Sequence, residues 1–142
     1  MNLNKVFQPR PEDVIEQWIV LDAAGEVAGR LATKIANLIR GKNTLCAIPH
    51  VKTGARVIVI NAEKVIMTGS KMVDKEYWHY TGWRGNKKNY TAKEVYKKNP
   101  EHIIYHAVKG MMRNCKMDNQ ILDSHLKIYV GDKHPHQAQI TN

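Results

Sequence analysis

The stretch VLDAAGEVAGRLATKIANLIRGK, residues 20–42, predicts a strand, a glycine turn and an amphipathic helix. Its first residues continue an apolar run that begins at Trp18, and a run without alternation is typical of a strand buried on both faces of a parallel sheet. Over residues 28–40 apolar and polar positions separate onto opposite helix faces, and Gly41 is the expected C-cap. The predicted core face holds Leu31, Ile35, Leu38 and Ile39, and the polar face holds Arg30, Thr33, Lys34 and Asn37.

The rest of the chain continues the alternation of strands and helices. The run RVIVINA, residues 56–62, predicts a second buried strand, parallel to the first with a right-handed crossover. Residues 76–83 and 126–131 predict a third and a fourth strand. Thr91 and Glu94 form a capping box for one helix, Asn99 and Pro100 begin the next, and a short helix follows over residues 117–125. The core face of the helix after Pro100 is predicted to hold Ile103, Ile104, Ala107, Val108, Met111 and Met112.

This order predicts one α/β domain over residues 18–131. An N-terminal arm, residues 1–17, contains Pro9 and Pro11, which oppose regular structure, and residues 132–142 form a polar tail. We find no repeat, no low-complexity tract and no second domain in the sequence.

The glycine turn before the predicted helix lacks the residues of a nucleotide site. A dinucleotide fingerprint needs G-x-G-x-x-G, whereas this turn offers only Gly25 and Gly29. A P-loop needs Lys and then Ser or Thr after its last glycine, where this chain has Arg30 and Leu31. The sequence therefore favours glycines that permit a tight turn, beside a basic helix face suited to a backbone phosphate.

The charge of the chain indicates a polyanionic partner. Its formal net charge is +9 with a pI near 9.6, and residues 84–116 contribute +7 of it through nine cations and two acids. A solvated basic face is the alternative interpretation of such a run. The cations are Arg84, Lys87, Lys88, Lys93, Lys97, Lys98, Lys109, Arg113 and Lys116.

Compartment signals favour a soluble, cytoplasmic protein. Cys46 and Cys115 are far apart and have no neighbouring cysteine, so the sequence suggests neither a zinc knuckle nor a disulfide framework. The first residues carry no apolar signal core, and no run reaches the ~20 apolar residues of a membrane span. We expect no membrane partner.

The sequence shows no catalytic constellation. Among the seven histidines, His102 and His106 are one helical turn apart and His134 and His136 flank a proline, but no carboxylate completes a metal triad. Neither cysteine has a context that would activate it as a nucleophile. We therefore expect no enzyme, no metal, no cofactor and no small-molecule substrate.

Aromatic and basic residues interleave in YWHYTGWRGNKKNY, residues 77–90. Rings that can stack on bases lie beside cations that can bind phosphates, and Gly82 and Gly85 allow close approach of the backbone. A core strand followed by an exposed loop is the alternative. Since no RNP, KH or zinc-finger pattern is present, the chain is not an ordinary modular nucleic-acid reader.

Several runs in one order resemble the bacterial-type L13 proteins of the large ribosomal subunit. They include GRLATKIANLIRGK at 29–42, PHVKTG at 49–54, HYTGWRGNKK at 79–88, AVKGM at 107–111 and LKIYVGDKHPHQAQ at 126–139. The resemblance covers nearly everything after the N-terminal arm. It implies a three-layer α/β/α fold around a four-stranded, mostly parallel sheet, no catalytic activity, binding to large-subunit rRNA early in assembly, and neighbouring large-subunit proteins as partners.

Candidate rRNA contacts come from the resemblance and from the basic segments. The resemblance implies Arg30, Arg40, Lys42, His50, Thr53, Lys64, Thr68, Lys71, Lys75, His79, Thr81, Lys88, Lys109, His134 and His136. The basic helix face and the segment 84–116 add Lys34, Arg84, Lys87, Arg113 and Lys116.

The chain also departs from the family pattern. After AVKGM the family usually continues Leu-Pro-Lys, whereas this chain has Met112, Arg113 and Asn114. Arg113 and Lys116 are candidate substitutes for the basic residues of that loop. Two other functions compete with a ribosomal one: a small nucleotide-binding enzyme of doubly wound type, and a free-standing RNA-binding regulator. The sequence does not distinguish a bacterial from an organellar ribosome.

Overall fold

A computed structural model describes Arg10, Glu12, Val14 and residues 17–44, 51–112 and 116–140. Most of the predicted N-terminal arm lies outside these residues. The elements follow in the order β1 Trp18–Asp22, α1 Ala28–Ile39, β2 Arg56–Ile60, a 3₁₀ turn Ala62–Lys64, α2 Lys71–Asp74, β3 Glu76–Tyr80, β4 Lys87–Thr91, α3 Ala92–Lys98, α4 Pro100–Met111, α5 Lys116–His125, β5 Leu126–Ile128 and α6 Gln137–Ile140. The chain is thus of the α/β class, as predicted.

The central sheet is parallel and has the order β1-β2-β5 within the described residues. Trp18 is paired with Arg56 at the start of β1 and β2, and Val57 is paired with Leu126 of β5. The predicted βαβ unit is therefore present, with α1 between its two strands. The fourth predicted strand also belongs to this sheet, as β5.

The predicted four-stranded sheet is not observed among these residues. The third predicted strand, β3, instead pairs antiparallel with β4 in a separate two-stranded sheet. Only Tyr77 of the five β3 residues is buried, whereas a strand inside a helix-covered parallel sheet is buried on both faces. The predicted three-layer arrangement of helices and sheet stays a prediction.

Strand β1 is less buried than predicted. Its residues Trp18 to Leu21 are half-buried and Asp22 is exposed, while Ile58 in β2 is fully buried. The reason is position, since β1 lies at one edge of the described sheet and β2 lies in its centre. A continuous apolar run does not distinguish the two positions.

Helix α1 supplies one wall of the core as the periodicity predicts. Leu31, Ile35 and Ile39 are at most 1% exposed, and α4 packs against this helix. Leu38 is only half-buried. In α4 the predicted core residues Ile103, Ile104 and Val108 are buried, as is Met112 just after the helix, whereas Ala107 is half-buried. Met111 is 41% exposed and lines a groove between the two helices.

The end of α1 is fixed by two glycines. Gly41 has a φ of +64°, and its N–H donates to the Leu38 carbonyl while the Lys42 N–H donates to the Asn37 carbonyl, both at 3.0 Å. This is a Schellman motif, and it confirms Gly41 as a cap. Gly54 passes so close to the helix end that a Cβ built there would lie 1.6 Å from the Ile39 carbonyl oxygen.

The C-terminal ends of β1 and β2 are joined by a polar network. Asp22 Oδ1 accepts hydrogen bonds from the Ala24 N–H and from Asn61 Nδ2, both at 2.9 Å. These two bonds, with Lys64 nearby, hold the pKa of Asp22 below its ordinary value of 3.8. Asn61 itself adopts the left-handed conformation with φ +55°.

This network predicts an acid-dependent loss of stability. The lowered pKa means that Asp22 adds stability that is present above pH 3.8 and is lost as the pH falls through the lower pKa of the folded chain. We expect the free energy of unfolding of Asp22→Asn to depend less on pH in this range than that of the wild-type chain. Unfolding followed by circular dichroism measures both. Asp132→Asn, at another exposed carboxylate, is the control, and an equal pH dependence in both variants would contradict the prediction.

Candidate nucleic-acid interface

Backbone amides in the glycine turn before α1 donate hydrogen bonds to carbonyl groups of the same chain. The Gly25 N–H donates to the Lys64 carbonyl at 3.2 Å, and the Ala28 N–H donates to the Ile66 carbonyl at 2.9 Å. Val27 and Ile66 also form a parallel bridge. These amides are therefore used within the fold, which agrees with glycines that shape a turn and disfavours a nucleotide site there.

The polar face of α1 presents cations to solvent. Arg30 and Lys34 are both exposed, on the side opposite the buried Leu31 and Ile35. Lys34 Nζ lies 2.6 Å from Glu26 Oε1, so an acidic neighbour partly neutralises it. Such an exposed pair contributes about 0–1 kcal/mol to stability. Lys34 can therefore exchange the carboxylate of Glu26 for a phosphate.

The hairpin of β3 and β4 carries an aromatic and basic surface. Alternation along the strands places Trp78 and Tyr80 on the same face, where they are 68% and 50% exposed. Lys87, paired with Tyr80 across the strands, has its Nζ 5.8 Å from the centre of the Trp78 ring. We call Trp78, Tyr80, Trp83 and Lys87 the hairpin platform; Trp83 in the connecting turn is 77% exposed.

The other predicted hairpin contacts lie on the opposite face of the hairpin and in its turn. His79 and Lys88 are paired across the strands on that opposite face, and Thr81 and Arg84 lie in the turn; all four are exposed. Large rings held beside cations with little burial are typical of surfaces that stack on nucleic-acid bases. The structure thus brings together five of the predicted contact residues on one hairpin.

A groove of about 440 Å³ lies where the first turn of α1 meets the C-terminal half of α4. Thr68, Lys71 and Lys75 line it, and so do Tyr77 and His106, whose ring centres are 5.1 Å apart. Lys75 Nζ lies 5.3 Å from the Tyr77 ring centre. Three more of the predicted contact residues therefore border a single concave surface, next to exposed Lys109 on α4.

The surroundings of His106 favour its neutral form. Partial burial lowers the pKa of His106 from 6.5, and the nearby charges of His102, Lys75 and Lys109 lower it further. Neutral imidazole offers one hydrogen-bond donor and one acceptor. The lining of the groove therefore combines cations with an imidazole whose neutral form is favoured.

Other predicted contacts lie apart from these surfaces. Arg40 is half-buried and lies 3.7 Å from the buried Asp118, Thr53 is 8% exposed, and Lys64 Nζ donates to the Asn61 side chain at 3.1 Å. Each of these side chains is thus buried in the fold or paired with another side chain of it. RNA contact by any of them stays a prediction.

The histidines near the C-terminus form a third cluster. His136 Nε2 lies 2.8 Å from the Tyr129 hydroxyl, and its ring centre is 5.3 Å from that of Trp18. His134 lies beside Tyr129, with ring centres 6.4 Å apart. Lys42 and Lys116 are exposed elsewhere, and His50 and Arg113 lie outside the described residues.

Comparison with known proteins distinguishes a ribosomal protein from a nucleotide-binding enzyme and from a free-standing RNA-binding regulator. The family model described as ribosomal protein L13 matches residues 16–135. The chain belongs to the ribosomal protein L13 family. Among its relatives, the large ribosomal subunit protein uL13 of Thermoanaerobacter sp. (strain X514) is 45% identical, over 95% of this chain and 94% of the relative. The uL13 proteins of Thermotoga petrophila, with 43% identity over 96% and 91%, and Dictyoglomus thermophilum, with 44% over 95% and 94%, are similarly close.

Membership of the L13 family agrees with the expectation that the chain is not an enzyme, since the family consists of structural ribosomal proteins. Within the described part of the chain, no three metal-ligating side chains come together and no helix is long and apolar enough to cross a membrane.

Sequence reasoning missed several residues of the groove. The missed residues are His106, Gly110 and Met111 of α4 and Tyr77 of β3, some thirty residues earlier in the chain. Their proximity depends on how the hairpin is placed against α4. The one available signal was the spacing of His102 and His106, which puts both on one helix face.

Proposed function

We propose that this chain is a structural protein of the large ribosomal subunit, that it binds large-subunit rRNA directly, and that it acts early in subunit assembly. The observation that carries the proposal is the hairpin platform together with the other exposed cations of the same hairpin, in a chain of the L13 family. As part of the ribosome, the chain is located in the cytoplasm. Neighbouring large-subunit proteins are its other partners.

The chemistry of the platform suits RNA rather than a small molecule. Trp78 and Trp83 expose most of their area and lie beside Lys87 and Arg84, so bases and phosphates can be bound together. Stacking of a base on an aromatic side chain is worth about 1–3 kcal/mol, and each neutralised phosphate adds affinity through counterion release. A hairpin that projects both groups provides both contributions.

Early assembly is supported by a core that closes without a partner. Leu31, Ile35, Val57 and Ile104 are at most 1% exposed in the isolated chain and belong to one hydrophobic core cluster of α1, β2 and α4. The burial of these core side chains does not require rRNA. The chain is therefore available to bind precursor rRNA in folded form.

The direct test compares two rRNAs under the same conditions. We expect the purified protein to bind transcribed large-subunit rRNA at least about a thousandfold more tightly than transcribed small-subunit rRNA at the same salt concentration. Filter binding at a fixed salt concentration measures both dissociation constants. Equal affinities would contradict a specific large-subunit rRNA protein and would leave only non-specific basic binding.

The hairpin cations predict a change in salt dependence. Each phosphate contact contributes about one to the slope of log affinity against log salt. We expect the double variant Lys87→Ala and Lys88→Ala to lower this slope by about two. Binding isotherms from about 50 to about 300 mM KCl measure the slope. The pair Lys97→Ala and Lys98→Ala, exposed at the end of α3, is the matched control. An unchanged slope in the hairpin variant would exclude this hairpin from the interface.

A further inference from the structure

Two helical glycines face the groove between α1 and α4. Gly29 lies in the first turn of α1 and Gly110 in the last turn of α4, and both line the groove. Apart from the adjacent residues and the backbone of its own helix, a Cβ built at either position would have no described atom within 4 Å. Packing within the chain therefore does not require a glycine at either position.

Glycine has a cost at both positions. In a helix it destabilises by about 0.5–1 kcal/mol relative to alanine, because it loses more backbone freedom on folding. Neither Gly29 nor Gly110 has a positive φ that would need glycine. Because these two positions carry no side chain, the groove stays open on the sides formed by α1 and α4.

The remaining lining combines apolar and basic side chains. Ile103 and the thioether of Met111 provide apolar contact, and His106 provides a hydrogen-bond donor and an acceptor. Lys71 and Lys75 supply the positive charge, and no acidic side chain lines the groove among the described residues. Its volume of about 440 Å³ falls in the range of about 300–1,000 Å³ that holds small organic groups.

These features together fit a planar apolar group with a polar edge, attached to negative charges on either side. An unpaired nucleotide has this chemistry, since its base can be buried and its two flanking phosphates stay at the surface. An inserted side chain of a neighbouring protein would fill the apolar interior but would leave Lys71 and Lys75 without phosphates to bind. Charge complementarity therefore favours RNA.

We infer that this groove holds one unpaired nucleotide of the large-subunit rRNA, with its base between Gly29 and Gly110 and its flanking phosphates on Lys71 and Lys75. The inference rests on the proposed function and adds a base-binding site to it. His106 is then the group that contacts the edge of the base, and the hairpin platform binds elsewhere on the RNA.

The test fills the groove without changing its charge. We expect wild-type protein to protect one to three bases of large-subunit rRNA from base-modifying reagents in a way that Gly110→Leu abolishes, while the rest of the footprint persists. The dissociation constant of Gly110→Leu should rise by about tenfold, in line with the loss of one base contact. Gln120→Leu, at an exposed position of α5, is the matched control and should leave footprint and affinity unchanged.

A second variant keeps the test decisive if Gly110→Leu does not fold. Lys71→Ala combined with Lys75→Ala changes only exposed side chains and should expose the same bases to modification. If wild-type protein gives no footprint at all, the proposed function itself fails. A wild-type footprint that neither variant alters would overturn only the nucleotide in the groove, and loss of a neighbouring ribosomal protein from the reconstituted particle with that footprint intact would identify a protein occupant instead.

Discussion

Gly54→Ala is expected to destabilise the chain by about 4 kcal/mol or more, a cost reached by few single substitutions. The added Cβ would lie 1.6 Å from the Ile39 carbonyl oxygen and 2.3 Å from its carbonyl carbon, so the backbone must move. The same movement would break the hydrogen bond that the Ala55 N–H donates to the Leu38 carbonyl at 3.0 Å. Urea unfolding measures the change in the free energy of unfolding.

The same substitution at Gly29 provides the control. A Cβ there would meet no described atom within 4 Å, and alanine favours a helix over glycine by about 1 kcal/mol. We therefore expect Gly29→Ala to leave the free energy of unfolding unchanged or to raise it slightly. If Gly54→Ala cost no more than Gly29→Ala, the close approach of the loop to the end of α1 would be wrong.

Ile35→Ala is expected to lower the free energy of unfolding by about 2–5 kcal/mol. Ile35 is 0% exposed in the wall that α1 contributes to the core, so the substitution removes apolar contacts and leaves a cavity. Urea unfolding again measures the change. A cost below 1 kcal/mol would show that this face of α1 is not packed as described.

The opposite face of the same helix should behave differently. Arg30→Gln combined with Lys34→Gln should leave the melting temperature nearly unchanged, because the only described ion pair lost is the exposed one with Glu26. The double variant should bind large-subunit rRNA more weakly. Loss of folding together with unchanged RNA binding would make the basic face a structural element.

The elements with strong periodicity could be predicted from the sequence. The periodicity of α1 identified the buried Leu31 and Ile35, and the capping box was read directly from Thr91 and Glu94; both capping hydrogen bonds are present. These signals are local, because a helix brings together residues three and four apart in the sequence. No knowledge of the tertiary fold was needed.

The antiparallel hairpin could not be predicted in the same way. Lys87–Thr91 has four exposed residues out of five and no apolar alternation, so nothing in it indicates a strand. Its partner β3 resembled a buried strand because it is rich in aromatic residues, yet Trp78 and Tyr80 face solvent. Aromatic residues raise strand propensity for packing and for binding alike, and composition does not separate the two.

The candidate interface could be predicted in its charge and in the aromatic residues of the segment 77–90, but not in its geometry. The basic residues near the hairpin were identified from composition, but the ion pair of Arg40 with Asp118 joins residues distant in sequence. The groove likewise depends on the contact between α1 and α4, which places Gly29 near Gly110. Distances between distant segments are set by packing, and the order of residues alone does not provide them.

Co-sedimentation tests the central claim most directly. Cell extract containing a tagged form of this chain is separated on a sucrose gradient, and the fractions are analysed for the chain and for rRNA. A structural rRNA-binding protein acting early in assembly should be found in large-subunit precursors and in mature large subunits, with little at the top of the gradient. A chain that stayed at the top, free or bound to small RNAs, would contradict the account and would favour an RNA-binding regulator or an enzyme.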